Sequence, residues 1–318
     1  MEIKVRHLTR IFGSTKALDD VSFSFSSGDI FGFIGPNGAG KTTAIRIMAA
    51  LDLPTSGDVF YNGVSAAYYP EAIRQQVGYM PDTLPDYKDV TVREYLDFCA
   101  RGFHLCGTSR IKRLQYVEEF TGTGTIRSKF LHDLSKGMKQ RVSLARAIIH
   151  DPEVLIMDEP AAGLDPRARL ELRNMLRDLA GEKKAILLSS HILSELQDIC
   201  NGAVIIEQGK LLSAGTFKEM SETLSAASEV PEQQKSSVVL ICPERIEELK
   251  QLLQEFPEVS EVEVHAGGKF RFSLNEWKKN LAPLMTRIFS AGFPVTTFSK
   301  AEPGLEELFM RITAGKVQ

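Results

Sequence analysis

Long uncharged stretches are missing from this chain of 318 residues; the longest, residues 59–70 and 288–299, run twelve residues each. A membrane-spanning helix needs about 20 mostly apolar residues, so no segment is expected to cross a bilayer. The opening MEIKVRHLTR has no apolar signal-peptide core, which argues against secretion. Cysteine is scarce. Cys99, Cys106, Cys200 and Cys242 show no CxxC spacing, which excludes a disulfide framework, gives no metal-site signal and suits reduced cytosolic thiols. Neither charge dominates: 38 Lys and Arg against 41 Asp and Glu leave a net of −3, without the basic excess of a dedicated nucleic-acid binder. Internal repeats and extended low-complexity tracts are also absent. What remains is the composition of an ordinary soluble protein, with 43% hydrophobic and 25% charged residues. At about 100–200 residues per domain, that supplies cores for two domains.

Residues 1–218 alternate short apolar strands with helical patterns. Strands are expected at Ile30–Ile34, Val154–Met157, Ala185–Ser189 and Ala203–Ile206, with helices near 41–51, 136–149, 167–180 and 192–200. This alternation predicts an α/β core with a largely parallel sheet. Residues 84–145 read as an inserted helical subdomain, one helix starting at a capping box of Thr91 and Glu94. The stretch 221–237 holds five Ser, three Glu, one Pro and no aromatic residue, the composition of a linker. From 238 to 318 the order strand, helix, strand, strand, helix, strand matches the ferredoxin-like split motif, with Gly267-Gly268 as a hairpin turn and a last helix at 304–313. The expected fold is therefore an α/β core, near 1–220, with an inserted helical subdomain and a small C-terminal ferredoxin-like α/β domain.

Residues 35–42 read GPNGAGKT, a full match to the phosphate-binding loop G-x-x-x-x-G-K-[ST], between a strand and a helix as that motif requires. Gly35, Gly38 and Gly40 permit backbone angles and close approaches that let successive N–H groups point at phosphate oxygens. Lys41 brings charge to the β- and γ-phosphates, Thr42 offers a hydroxyl to Mg²⁺, and the helix that starts here adds its positive dipole end. Pro36, Asn37 and Ala39, between the glycines, and Thr43, after Thr42, complete the candidate loop. Further on, VLIMDE (154–159) is a buried strand ending in two carboxylates, at the edge where open parallel sheets bind ligands. Asp158 is the candidate Mg²⁺ residue, through the ion's water shell. Glu159 is the candidate for polarising an attacking water.

Residues 134–141, LSKGMKQR, end 17 residues before Asp158. This segment resembles the LSGGQ signature of ABC-type ATPases. Ser135 suits the N-cap of the helix that follows, and a capped helix offers N–H groups to an anion. The resemblance implies roles for further residues: Ser135 and Gly137 on phosphate, Asp165 in the D-loop GLD, and Phe12 stacked on adenine. His191, 32 residues after Glu159, matches the switch histidine. The signature wording and the tail EPGLEELFMRITAG resemble the ATPase subunits of bacterial exporters, including antibiotic and multidrug exporters, that keep ATPase and permease on separate chains.

Two positions depart from the family pattern. Lys136 and Met138 replace the usual Gly and Gln, which puts a charge beside the signature. Asp82 follows the strand VGYMP where the family commonly has Gln; two readings stand, a shorter acidic substitute reaching Mg²⁺ or water, or a plain Asp after a proline turn. The resemblance implies ATP and Mg²⁺ as cofactors, and a head-to-tail homodimer with ATP at its interface. It also implies a separate transmembrane permease and a place on the cytoplasmic face of the membrane through that partner, with no nucleic acid. Tyr87, Tyr95, Phe98 and Phe103 lie where the family receives its permease and suit either docking or internal packing. The competing class is an ABC-type ATPase with a nucleic-acid, ribosome-associated or regulatory role; paired ATPase halves or coiled-coil insertions, typical of the nucleic-acid and ribosome kinds, are absent here.

Overall fold

The computed structural model describes residues 1–318 except 86, 198, 228–235, 266, 276, 301–308, 310, 311 and 313–318. The chain divides into two compact units, Met1–Met220 and Ser221–Leu308, with Phe309–Gln318 grouped with the first. In chain order the first unit opens with β1 (Glu2–Phe12), β2 (Thr15–Ser26), β3 (Ile30–Ile34), α1 (Lys41–Met48), β4 (Ser56–Tyr61), β5 (Val64–Ser65), α2 (Pro70–Gln76) and β6 (Val77–Met80). The helical segment follows as α3 (Val92–Gly102), α4 (Gly107–Phe120) and α5 (Lys136–Ile148). Then come β7 (Val154–Met157), α6 (Pro166–Gly181), β8 (Ala185–Ser190), α7 (Leu193–Gln197), β9 (Gly202–Glu207), β10 (Lys210–Thr216) and α8 (Phe217–Ala227).

A six-stranded sheet in the order β10-β9-β3-β8-β7-β6 carries the core. All its pairings are parallel except β10 on β9. Strands β3, β7 and β8 are buried at every position, which explains their continuous apolar sequences. Parallel pairing brings the C-terminal ends of β3, β6, β7 and β8 to one edge of the sheet, and the site is built there.

A second sheet, β2-β1-β4-β5, has no counterpart among the strands expected from the sequence. Its long strands are irregular: His7 (φ 50) and Asp20 (φ 57) take left-handed angles, and the β1–β2 register shifts between Val5 and Leu8. Such shifts break the period-two alternation by which strands are read. The helical segment starts as expected, with the Thr91–Glu94 capping box formed at α3. The linker expected from residue 221 is replaced at its start by α8, which runs to Ala227. Glu219 N–H donates to Thr216 Oγ1 (3.3 Å) while Thr216 N–H donates to Glu219 Oε2 (2.8 Å), a capping box just ahead of the Ser-rich stretch.

The second unit holds β11 (Ser236–Ile241), α9 (Ile246–Gln254), β12 (Val259–His265), β13 (Lys269–Leu274), α10 (Trp277–Ser290) and β14 (Thr297–Lys300). Its antiparallel sheet runs β12-β13-β11-β14, the ferredoxin-like order. Phe270, Phe272 and Leu274 alternate inward from β13 onto Leu249, Leu253, Leu284 and Ile288 of the two helices. The helix expected at 304–313 lies outside the described residues, apart from Phe309 and Ile312.

Candidate functional site

The loop after β3 is shaped by contacts that exclude side chains. A Cβ on Gly35 would lie 2.3 Å from the Ile206 carbonyl oxygen, and one on Gly40 would lie 2.4 Å from that of Ala17. Gly40 also takes φ 102 as it caps α1, an angle costly for any residue with a Cβ. Gly38 (φ 80) faces open space instead. Pro36, Asn37 and Thr42 are exposed, whereas Ala39 is buried and Thr43 half-buried. Lys41 is buried; its Nζ donates to the carbonyls of Gly35 (2.7 Å) and Pro36 (3.2 Å) and stands 3.8 Å from Glu159 Oε1.

Behind this loop, β7 delivers the two carboxylates. Asp158 is 4% exposed, its N–H donating to the Met80 carbonyl (2.8 Å), which ties the end of β7 to the end of β6. The Ser189 hydroxyl, fully buried on β8, donates to Asp158 Oδ1 (2.7 Å) and accepts from the Glu159 N–H (2.8 Å). Glu159 leaves the strand at φ 47, a left-handed angle held in place by that bond. One consequence of a buried carboxylate appears at Tyr79, whose phenol is pushed up first by burial and then by the charge on Asp158. Ser189 went unnoticed in the sequence. A serine on an apolar strand carries no periodic signal, and its partners lie about thirty residues away.

His191, just past β8, places Nδ1 3.0 Å from Glu159 Oε2. Lys41, Asp158, Glu159, Ser189 and His191 thus form one cluster, drawn from three neighbouring strand ends. It unites a cation, a buried carboxylate, a second carboxylate aimed outward and an imidazole, the components needed to hold a polyphosphate and activate water beside it. Asp82 is exposed, two residues beyond Met80 at the same sheet edge.

The remaining candidates sit elsewhere. Ser135 N-caps α5, its Oγ accepting from the Met138 N–H (3.4 Å), and Asp165 N-caps α6, accepting from the Ala168 N–H (2.9 Å). The two helix starts pack together: a Cβ on Gly137 would make ordinary contact with Ala168, and the Lys136 ammonium lies over Gly163. Arg141 of α5 pairs with Glu171 of α6, which Arg167 also reaches (3.3 Å). Among the described residues no hydrogen bond or ion pair joins Ser135, Gly137 or Asp165 to the phosphate loop of the same chain. Phe12 ends β1 half-exposed, with the Arg10 guanidinium over its ring. The four aromatics between docking and packing divide evenly: Tyr87 and Phe98 are exposed, whereas Tyr95 is buried and Phe103 stacks on His150 (3.7 Å between centroids).

A P-loop facing carboxylates across a parallel sheet occurs in many ATPases; likeness along the whole chain narrows the choice. The bacitracin transport ATP-binding protein of Bacillus licheniformis is 31% identical over 315 residues, which cover 98% of this chain and 97% of that one. The chain belongs to the ABC transporter ATP-binding family. The family profile for ABC transporters matches residues 18–162, and a profile described as the C-terminal domain of DrrA1-3-like ATP-binding proteins matches 217–313. The Nod factor export ATP-binding protein I of Ralstonia nicotianae is 30% identical over 317 residues, 99% of this chain and 95% of that one. Among solved structures, the ATP-binding subunit of an ABC transporter superposes with a TM-score of 0.65 at 31% identity, covering 72% of this chain and 95% of the other. A dimeric ATP-binding cassette holding ADP and Pi, at 21% identity and TM-score 0.62, shares the fold over 67% of this chain and 98% of its own. As a member of this family the chain binds and hydrolyses ATP in the service of transport, a role the relatives favour over the nucleic-acid, ribosome-associated or regulatory alternative. No helix among the described residues is long and apolar enough to cross a membrane.

Proposed function

We propose that this chain is the motor of an exporter, closing on ATP as a head-to-tail homodimer and driving a separate membrane permease from the cytoplasmic face. The observation that carries the reading is the cluster at the sheet edge, where Lys41, Asp158, Glu159 and His191 converge on the phosphate loop. In this reading residues 35–43 cradle the phosphates and Lys41 neutralises the γ-phosphate. Phe12 stacks on adenine. Glu159 polarises the water, and His191, 3.0 Å away, holds that carboxylate and senses the γ-phosphate.

Mg²⁺ fits the donors present. The Asp158 carboxylate is buried with a hydroxyl as its hydrogen-bond partner, and Thr42 presents a second hydroxyl from the start of α1. No cluster of three or more acidic, His or Cys ligands occurs among the described residues. That suits an ion held by one carboxylate, a hydroxyl, waters and nucleotide phosphates rather than by a protein cage. When bound, the ion neutralises charge on the phosphates. Asp82, exposed at the same sheet edge, joins this set in the proposal as an acidic residue that would reach the ion through its water shell.

The dimer supplies what one chain lacks. Ser135, Gly137 and Asp165 form a second surface, and a partner's surface of that kind covers the nucleotide held by the first chain. Differential affinity for the closed state is then what does mechanical work. A permease-facing surface within 82–110 is supported by exposed aromatic side chains there, Tyr87 and Phe98, the latter 73% exposed. Export as the direction rests on the names of the relatives that match along the whole chain. The division at 1–220 and 238–318, with the second unit buttressing the dimer, belongs to the same proposal. The test is ATP turnover: Glu159→Gln is expected to bind ATP with wild-type affinity and lose at least 10²-fold in kcat, the low end of about 10²–10⁴ for a general base. Turnover at the wild-type rate would remove Glu159 from the mechanism.

A further inference from the structure

The ring at the end of β1 has a companion on its own strand. Arg10 and Phe12 are two residues apart and share a face of β1, and the Arg10 guanidinium carbon sits 4.5 Å from the Phe12 ring centroid. Arg10 Nε is buried and has no hydrogen-bond partner among the described residues. The guanidinium stacks on the aromatic face, while its charge also reaches the Asp52 carboxylate, which it helps to hold below the usual range after the larger effect of Arg46. The strand that carries the pair is linked to the phosphate loop through β2. Arg10 is in register with Leu18 of β2, and a Cβ on Gly40 would lie 3.0 Å from Leu18 Cδ2. Phe12 itself is 48% exposed, so one face of the ring is covered by Arg10 while the rest is open to solvent.

We infer that Arg10 is a positioning residue for nucleotide binding: it caps one face of Phe12, fixes the ring and leaves the other face for the purine base. The inference rests on the reading of Phe12 as the base-stacking residue. A free phenylalanine on an exposed strand end samples several rotamers and must be ordered when a base arrives. A guanidinium stacked on one face does that ordering beforehand and permits a base on one side only.

Calorimetric titration of the full chain with ATP and, separately, with inorganic tripolyphosphate tests this. Arg10→Gln is expected to weaken ATP by about 2- to 5-fold, the worth of a part-exposed cation–π contact, and to leave tripolyphosphate binding unchanged. Arg10→Lys, which keeps a cation, is expected to recover part of the loss. In a Phe12→Leu background the Arg10→Gln change should have no further effect on ATP. Equal losses for ATP and tripolyphosphate would make Arg10 a support of the loop and overturn the inference, as would an undiminished effect in the Phe12→Leu background. The two readings separate cleanly. If Phe12→Leu leaves ATP affinity intact, base stacking fails and takes the inference with it; if Phe12→Leu weakens ATP and Arg10→Gln does not, the inference alone fails.

Discussion

Ser189→Ala removes a single oxygen, and the structure indicates how much hangs on it. The hydroxyl donates to the buried Asp158 carboxylate at 2.7 Å and accepts the Glu159 N–H at 2.8 Å. With alanine in its place, the carboxylate loses a charge-assisted bond worth about 1.5–3 kcal/mol, and a neutral bond to the N–H worth about 1 kcal/mol is lost as well. Partial re-pairing of these groups with water brings the expected loss to about 2–4 kcal/mol in urea unfolding. The second consequence is catalytic. Glu159 sits at φ 47, about 1–2 kcal/mol above a relaxed backbone for a residue with a Cβ, and the Ser189 bond holds it there. Once released, the carboxylate turns from the P-loop and from His191, so kcat is expected to fall about 10-fold or more, each tenfold being about 1.4 kcal/mol. Urea unfolding and steady-state ATP turnover measure the two effects on one sample. A variant within about 0.5 kcal/mol of wild type and with unchanged kcat would refute the assignment of Ser189 as the support of both carboxylates.

Burial pushes the His150 imidazole down to about 4, packed on Phe103 with Nε2 3.2 Å from the Val77 carbonyl. Because the folded value lies below that of the unfolded chain, stability is full above about pH 6.5 and falls by up to about 3 kcal/mol as pH drops toward 4; His150→Gln should flatten that slope in unfolding curves. Gly40→Ala forces a Cβ to 2.4 Å from the Ala17 carbonyl at φ 102, whereas Gly38→Ala at φ 80 meets open space. The first is expected to lose more than about 2 kcal/mol and the second about 1 kcal/mol in thermal unfolding. Thr91→Ala removes the cap and one half of the capping box of α3, for an expected loss of about 1 kcal/mol in the same measurement.

Much of the site was legible because its chemistry is local. The GPNGAGKT loop, the VLIM strand and the Ser135 cap each lie within a few residues, and fully buried strands such as Ile30–Ile34 appear as unbroken apolar runs. The order of elements in 236–300 was legible for the same reason, each helix showing its apolar face and each strand its alternation. What escaped depends on contacts distant in sequence or on broken periodicity. The β1–β2 pair hid behind left-handed residues at His7 and Asp20. The α8 helix escaped because its capping pair, Thr216 and Glu219, lies just ahead of a Ser-rich stretch whose composition suits a linker. Ser189 hid because a serine acquires its role only when β7 and β8 pair. Arg10 had no motif at all; only its stacking on Phe12 singles it out.

The central claim is that ATP joins two copies of this chain and hydrolysis separates them. Light scattering of Glu159→Gln at saturating ATP and Mg²⁺ tests it most directly. The account predicts a particle of twice the 35.3 kDa chain mass, carrying two ATP molecules and dissociating when the nucleotide is replaced by ADP. A variant that binds ATP to full occupancy and remains at the mass of one chain would contradict it.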